Sequence, residues 1–245
     1  RLGPERITLA EVLQSRGFST GGFVSAYVLD RKWGIAQGFD RYLDDFDLAK
    51  MKTANMGEIQ RRGDETLARA GEWLDGLDRN RRFFLWLHLY DPHTPYEAPE
   101  PYASRYSGHP YDGEVAWTDE LVGRLLDRLK SQGRDRRTVV AVMGDHGESL
   151  GEHGEHDHGY FVYEATTHVP LIVAGPWSGL AGKTVTAPVG QVDIAPTLLE
   201  LLGVENTLEP GQGKSLIPLL EGRPLLPASS DESWRPQGAA PTTTY

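Results

Sequence analysis

No cysteine occurs among the 245 residues. That excludes disulfides and thiolate-ligated zinc within the chain. It carries no information on redox compartment. No apolar run approaches the ~20 residues that a membrane helix needs. No basic segment followed by an apolar core marks a signal peptide. The chain opens on Arg1 rather than Met, which leads us to expect that an upstream segment has been removed. Positive charge is in deficit, with 25 Lys and Arg against 35 Asp and Glu, a net charge of −10. Such a balance argues against nucleic acid or an anionic membrane as partner, because both need Lys and Arg to neutralise phosphates. A small anionic substrate stays open, since a bound divalent cation reverses the sign locally.

What is present suits a globular α/β protein. Hydrophobic residues make up 39%, enough for a sizeable core. "ITLAEVLQSRGF" reads as a short helix, with Thr8 and Glu11 at capping-box spacing and Gly17 as its stop. "TGGFVSAYVL" reads as a buried strand, and "GFDRYLDDFD" as a polar connection. Residues 65–77 have helical spacing. "FFLWLHLY", residues 83–90, is a continuous apolar run typical of a strand covered on both faces. "DPHTPYEAPEPY" follows, and its prolines forbid regular structure. "YDGEVAWTDELVGRLLDRLKSQG" predicts a long helix with a stripe of Val115, Leu121, Val122, Leu125, Leu126 and Leu129. "TVVAVM" and "VPLIVAG" are further strands. "DIAPTLLELLG" is a helix with Asp193 as N-cap and Pro196 in its first turn. This alternation implies a mostly parallel sheet with helices on both faces. Residues 1–225 form one α/β domain, and residues 226–245 read as an irregular tail.

The chemistry collects after two strands. In open parallel sheets, ligands bind beyond the carboxyl ends of the strands. After Tyr90 comes Asp91-Pro92-His93. After Met143 comes Gly144-Asp145-His146-Gly147-Glu148. A carboxylate and an imidazole at a strand exit suit one divalent cation, and the flanking glycines allow close backbone approach. The plain alternative is a polar turn, which the second His-bearing strand exit disfavours. Of the later histidines, His158 is favoured as a functional residue. His153 and His156 read as solvated, His168 as structural and His88 as a satisfied core histidine. Glu148 either orients a metal-bound imidazole or is a solvated loop carboxylate. Asp91 caps or orients the Pro-rich loop. Asp112, Glu114, Asp119 and Glu120 read as the polar face of the long helix. Gln191 and Asp193 read as organising a helix start.

The ordered blocks "FFLWLHLYDPHTPYEAP", "YDGEVAWTDELVGRLL", "VVAVMGDHGESLGEHG", "HGYFVYEATTHVPLIVAGP", "VDIAPTLLELLGV" and "GKSLIPLL" together resemble the sulfatases of the alkaline-phosphatase-like superfamily. "ITLAEVLQSRGFSTGGFVS" and "GFDRYLDD" resemble that family's preceding blocks. The resemblance implies a large, mostly parallel mixed sheet sandwiched by helices. It implies hydrolysis of a small sulfate monoester with one divalent cation, usually calcium, with manganese or zinc as alternatives. It matches Asp145 and His146 to a pair of metal ligands. It matches His93 and His158 to catalytic positions at the ester and its leaving oxygen. A periplasmic or secreted location is favoured by the resemblance alone, and oligomeric state is open.

Three departures qualify the match. No motif of the C-x-P-S-R type, whose Cys or Ser becomes formylglycine, occurs here. No counterpart of the family's first acidic metal-binding pair is found. Both are expected upstream of Arg1, so the chain reads as an N-terminally truncated fragment, inactive alone. Where many members carry Lys and His to clamp the sulfate, Ser25 and Tyr27 stand. That pair is closer to the phosphonate monoester and phosphodiester hydrolases of the superfamily. The rivals are therefore such a hydrolase, a phosphoethanolamine-type transferase, or a binding module that has lost its nucleophile.

Overall fold

The computed structural model describes residues 1–46, 59–156, 158–176, 182–208, 211 and 213–221. The expected tail, residues 226–245, lies outside the described residues.

Helix α1 (Leu9–Ser15) starts where the sequence predicts. The Thr8 hydroxyl accepts from the Glu11 backbone N–H at 3.1 Å, and Glu11 accepts from the Thr8 N–H at 2.8 Å. This reciprocal pair satisfies two helix-end donors. Strand β1 (Ser19–Val24) follows, then β2 (Arg41–Leu43). β2 falls within the segment expected to be a polar connection. Its Tyr42 and Leu43 are buried, although its neighbours are acidic. The apolar segment after β1 does not continue as a strand. It bends into two short 3-10 turns at Tyr27–Leu29 and Arg31–Trp33. Helix α2 (Gly63–Asp75) leads to β3 (Phe83–His88). Helices α3 (Tyr102–Arg105) and α4 (Pro110–Ser131) come next. Strand β4 (Val140–Met143), helix α5 (Glu164–Thr167), strand β5 (Leu171–Ala174), helix α6 (Ile194–Leu201) and helix α7 (Ile217–Leu220) complete the order.

β1 pairs in parallel with both β2 and β3, giving the order β2-β1-β3. β4 and β5 pair antiparallel in a second small sheet. The architecture is α/β with parallel and antiparallel pairs. Alternate residues of β3 face opposite sides. Phe84 packs with Val12, Leu13, Phe18 and Leu199 of the α1 and α6 layer. Leu85 and Leu87 pack with Phe23, Leu43 and Ala70 on the α2 side. Helices therefore cover both faces. Among the described residues, no helix is long and apolar enough to cross a membrane.

The stripe of α4 differs from the expected one. Glu114, Trp117, Leu121 and Leu129 are its buried side chains, while Val115 and Leu126 are exposed. Positions 114, 117, 121 and 125 recur at the helical period, so they share one face. Leu67 of α2 meets Trp117 and Leu121 there. Glu114 is thus on the inner face, contrary to its reading as part of the polar face.

Candidate active site

The site is built at the exits of β3 and β4. Leaving β4, the chain passes Gly144 to Asp145 and His146, both exposed. Gly147 then passes so close to α5 that a Cβ would lie 2.1 Å from the Ala165 carbonyl oxygen. Its N–H donates to the Thr166 carbonyl at 2.8 Å. Only glycine permits that approach. Gln191 clamps the same turn from the other side, its Nε2 donating to the carbonyls of Gly144 at 3.2 Å and Asp145 at 2.5 Å. Gln191 therefore acts on the strand exit, not merely on a helix start. Asp193, expected as the N-cap of α6, makes no side-chain capping bond to that helix. Its carboxylate accepts from Gly190 and Lys214 backbone N–H groups instead.

His146 Nδ1 lies 2.9 Å from the Gly147 carbonyl. A carbonyl only accepts, so Nδ1 carries the proton and Nε2 keeps a lone pair. That nitrogen lies 3.9 Å from Asp145 Oδ1. An imidazole nitrogen whose partner nitrogen is tied to a carbonyl, beside an exposed carboxylate, is a donor set fit for a divalent cation. Among the described residues, no group of three His, Cys, Asp or Glu is placed to hold a metal. Asp145 and His146 therefore fit the group as part of a larger set.

Leaving β3, the chain carries His93 in the Pro-rich loop. The His93 ring stacks on Tyr90 with centroids 4.1 Å apart. Its Nδ1 donates to the Thr94 carbonyl at 2.8 Å, and its Nε2 receives the Tyr90 hydroxyl at 2.9 Å. The loop is held from below by Glu114. That carboxylate accepts from the His93 N–H at 3.1 Å and the Glu97 N–H at 2.7 Å. Burial pushes the Glu114 carboxyl up to about 7. Asp91 is raised too, chiefly by burial, and accepts from Gly63 N–H at the start of α2. Asp91 thus ties its loop to α2.

His158 completes the group. Its ring stacks on His146 with centroids 4.1 Å apart and meets His93 edge-on at 5.2 Å. Glu148 is buried, so it is not a solvated loop carboxylate. Its Oε1 lies 3.0 Å from His158 Nδ1, and its Oε2 accepts from the Tyr96 hydroxyl at 3.0 Å. Glu148 holds His158, not the imidazole of His146.

The remaining predicted residues have other partners. Ser25 is fully buried, and its hydroxyl shares a 2.7 Å hydrogen bond with Thr66. Tyr27 is buried, with Lys32 over its ring and bonded to its hydroxyl. His153 and His156 are exposed, as expected, and His153 stacks on Tyr163. His168 is exposed, with 84% of its side chain accessible, so it has no structural role in packing. His88 is not a satisfied core histidine, because among the described residues its buried Nδ1 has no hydrogen-bond partner. Burial lowers its pKa, against an opposing pull from Asp145.

Sequence reading missed Glu114, Tyr96, Tyr90 and the reach of Gln191. Glu114 had a signal, its spacing with Trp117 and Leu121. Tyr96 and Gln191 had none, because their partners are distant in sequence.

Comparison with known proteins shows what the chain as a whole is similar to. The sulfatase family profile matches residues 2–204. Arylsulfatase K of Danio rerio is 31% identical over 186 residues, covering 70% of this chain and 34% of that protein. Steryl-sulfatase of Mus musculus is 33% identical over 196 residues, covering 74% of this chain and 30% of that protein. N-acetylglucosamine-6-O-sulfatase of Bacteroides thetaiotaomicron is 40% identical over 125 residues, 51% of this chain and 21% of that protein. The chain thus spans at most about a third of the length of these relatives. A solved structure in complex with its substrate D-glucosamine-2-N,6-O-disulfate superposes with a TM-score of 0.74 at 20% identity, covering 96% of this chain and 67% of that one. The phosphonate monoester hydrolase of Agrobacterium radiobacter superposes with a TM-score of 0.71 at 20% identity, covering 96% and 64%. At that identity the two structures speak to the fold alone.

Proposed function

The chain belongs to the sulfatase family, and from that premise we propose that the whole protein is a divalent-cation-dependent hydrolase of small sulfate monoesters. Asp145, His146, His93 and His158 are assigned to its site. The observation that supports this most is the meeting of three imidazoles from two connections, one after β3 and one after β4. His158 lies against both His93 and His146, at 5.2 and 4.1 Å between ring centroids. No nucleophile is assigned among the described residues, and Asp145 and His146 are assigned as two of the metal's ligands.

Sulfatases generally use a divalent cation. Here Asp145 and His146 would hold it, and calcium is the metal assigned, with manganese and zinc as alternatives. When bound, it neutralises non-bridging oxygens of the ester. The chain's own residues divide the remaining work. Both ring nitrogens of His93 are engaged within its own loop. His93 is therefore assigned to shaping and orienting the ester site. His158 uses Nδ1–H for Glu148, so Nε2 is assigned to the departing oxygen, to which it gives a proton from the doubly protonated ring and then rests as the Nδ1–H tautomer.

The test is steady-state hydrolysis by the full-length protein of a nitrophenyl sulfate, with bis-nitrophenyl phosphate in parallel. A kcat/KM at least about tenfold higher for the sulfate, a ~1.4 kcal/mol preference, supports the reading. The opposite order favours a phosphonate monoester or phosphodiester hydrolase, the second reading, which Ser25 and Tyr27 support as replacements for Lys and His. Transfer of the phosphoryl group to an acceptor other than water points to a transferase. Turnover of neither ester overturns the hydrolase reading and leaves a binding module.

A further inference from the structure

Glu148 is a buried carboxylate beside the site. Its side chain is only 4% exposed. A buried carboxylate needs donors for both oxygens, because desolvation is otherwise costly. Oε1 meets His158 Nδ1 at 3.0 Å, and Oε2 receives the Tyr96 hydroxyl at 3.0 Å. The two partners come from different segments. Tyr96 lies in the loop that carries His93, and its ring packs edge-on against Tyr111 of α4. His158 lies beyond the turn at Glu152–Gly154. Glu148 itself follows β4, with the buried Ser149 beside it. One carboxylate thus joins three segments that supply the site.

The chemistry of the contact fixes more than position. An ionised carboxylate can only accept hydrogen bonds. The proton shared with Glu148 must therefore sit on His158 Nδ1. That choice makes Nε2 the other functional nitrogen and fixes the plane of the ring. The plane is the one observed, nearly parallel to His146 at 29° and edge-on to His93 at 74°.

We propose that Glu148 is a positioning residue, whose carboxylate holds His158 in the Nδ1–H tautomer and turns Nε2 toward the ester. This rests on the assignment of His158 as the group serving the departing oxygen. It goes beyond that assignment by naming what sets the ring's orientation and tautomer.

The experiment reads the tautomer directly, without turnover. The full-length protein is labelled with ¹⁵N-histidine, and long-range ¹H–¹⁵N correlations of His158 are recorded at one mildly alkaline pH, where exposed imidazoles are neutral. Wild type shows Nδ1–H. E148Q retains it, since the carboxamide oxygen accepts from Nδ1 while its NH₂ group donates to Tyr96. E148A loses it, and E148M, which fills the same space without an acceptor, serves if E148A does not fold. In kinetics, E148A or E148M lowers kcat about 10–100-fold with less change in KM, and E148Q recovers most of it. In an H158A background, the same substitutions cost less than about twofold, the signature of two residues acting as one unit. An unchanged Nδ1–H tautomer in both E148A and E148M overturns the proposal. So does a full kinetic loss from E148A or E148M in the H158A background. Wild-type turnover in H158A would instead refute the role assigned to His158, a separate failure.

Discussion

The rings of His146 and His158 lie face to face, 4.1 Å between centroids and 29° between planes. One is held by the carbonyl of Gly147 and the other by the carboxylate of Glu148. Each therefore presents Nε2 rather than Nδ1. On the proposed reading, these two rings and Asp145 form the front that meets the ester.

Replacing His158 tests the front's proton-bearing half. His158→Ala in the full-length protein lowers kcat by roughly 10²–10⁴-fold, the usual worth of a positioned general acid. KM changes far less. The ring is only a quarter exposed, and its loss strands one oxygen of the buried Glu148 carboxylate, so the thermal midpoint falls as well. Kinetics and a melting curve on the same sample check both statements. An unchanged kcat would remove His158 from the mechanism.

The metal-holding half is tested by binding. Dialysis against a chelator abolishes activity of the full-length protein, and calcium restores it. Asp145→Ala and His146→Ala each weaken calcium affinity at least about tenfold, ~1.4 kcal/mol. Isothermal titration of the chelated protein measures this. Affinity equal to wild type in both variants would place the ion elsewhere.

Glu114 makes stability depend on pH. Its carboxyl is ordinarily near 4.5, and burial raises it to about 7 in the folded protein, helped by the neighbouring charge of Asp91. A raised carboxyl favours the folded state most when protonated. Its contribution is therefore fully present below about pH 4.5 and is lost as pH rises through about 7. The full effect is on the order of 3 kcal/mol. E114Q cannot ionise, so it flattens the fall in urea midpoint across that window. Its single carbonyl also leaves one of the His93 and Glu97 N–H groups poorly paired, about 1 kcal/mol at every pH. Parallel curves for wild type and E114Q would show that another group governs the slope.

Ser25 separates a packing role from a substrate role. Ser25→Ala strands the buried Thr66 hydroxyl, whose remaining contact is the 3.4 Å approach to the Arg62 carbonyl. The expected cost is about 1–2 kcal/mol of stability, with KM for the ester unchanged. A tenfold rise in KM without loss of stability would instead assign Ser25 to substrate.

Much of this protein was set by residue order alone. The capping box of α1, the apolar run of β3, the long α4 and the Asp145-His146 exit all depend on neighbours within a few positions. Local backbone sterics, helical period and capping bonds decide them. The blocks resembling sulfatases extended that reading across most of the chain. β2 escaped it, because three residues between acidic neighbours carry no period. The orientation of Glu114 was readable from its spacing with Trp117 and Leu121, yet its charge argued for the surface.

The tertiary structure alone decided which side chains meet. Nothing between positions 93 and 158 announces that His93 and His158 touch, or that Glu148 takes Tyr96 as its second partner. Those contacts arise when helices pack on both faces of the sheet and bring the exits of β3 and β4 together. A buried carboxylate then accepts whichever donors that packing delivers, since leaving it unpaired costs more than ordering the loops around it.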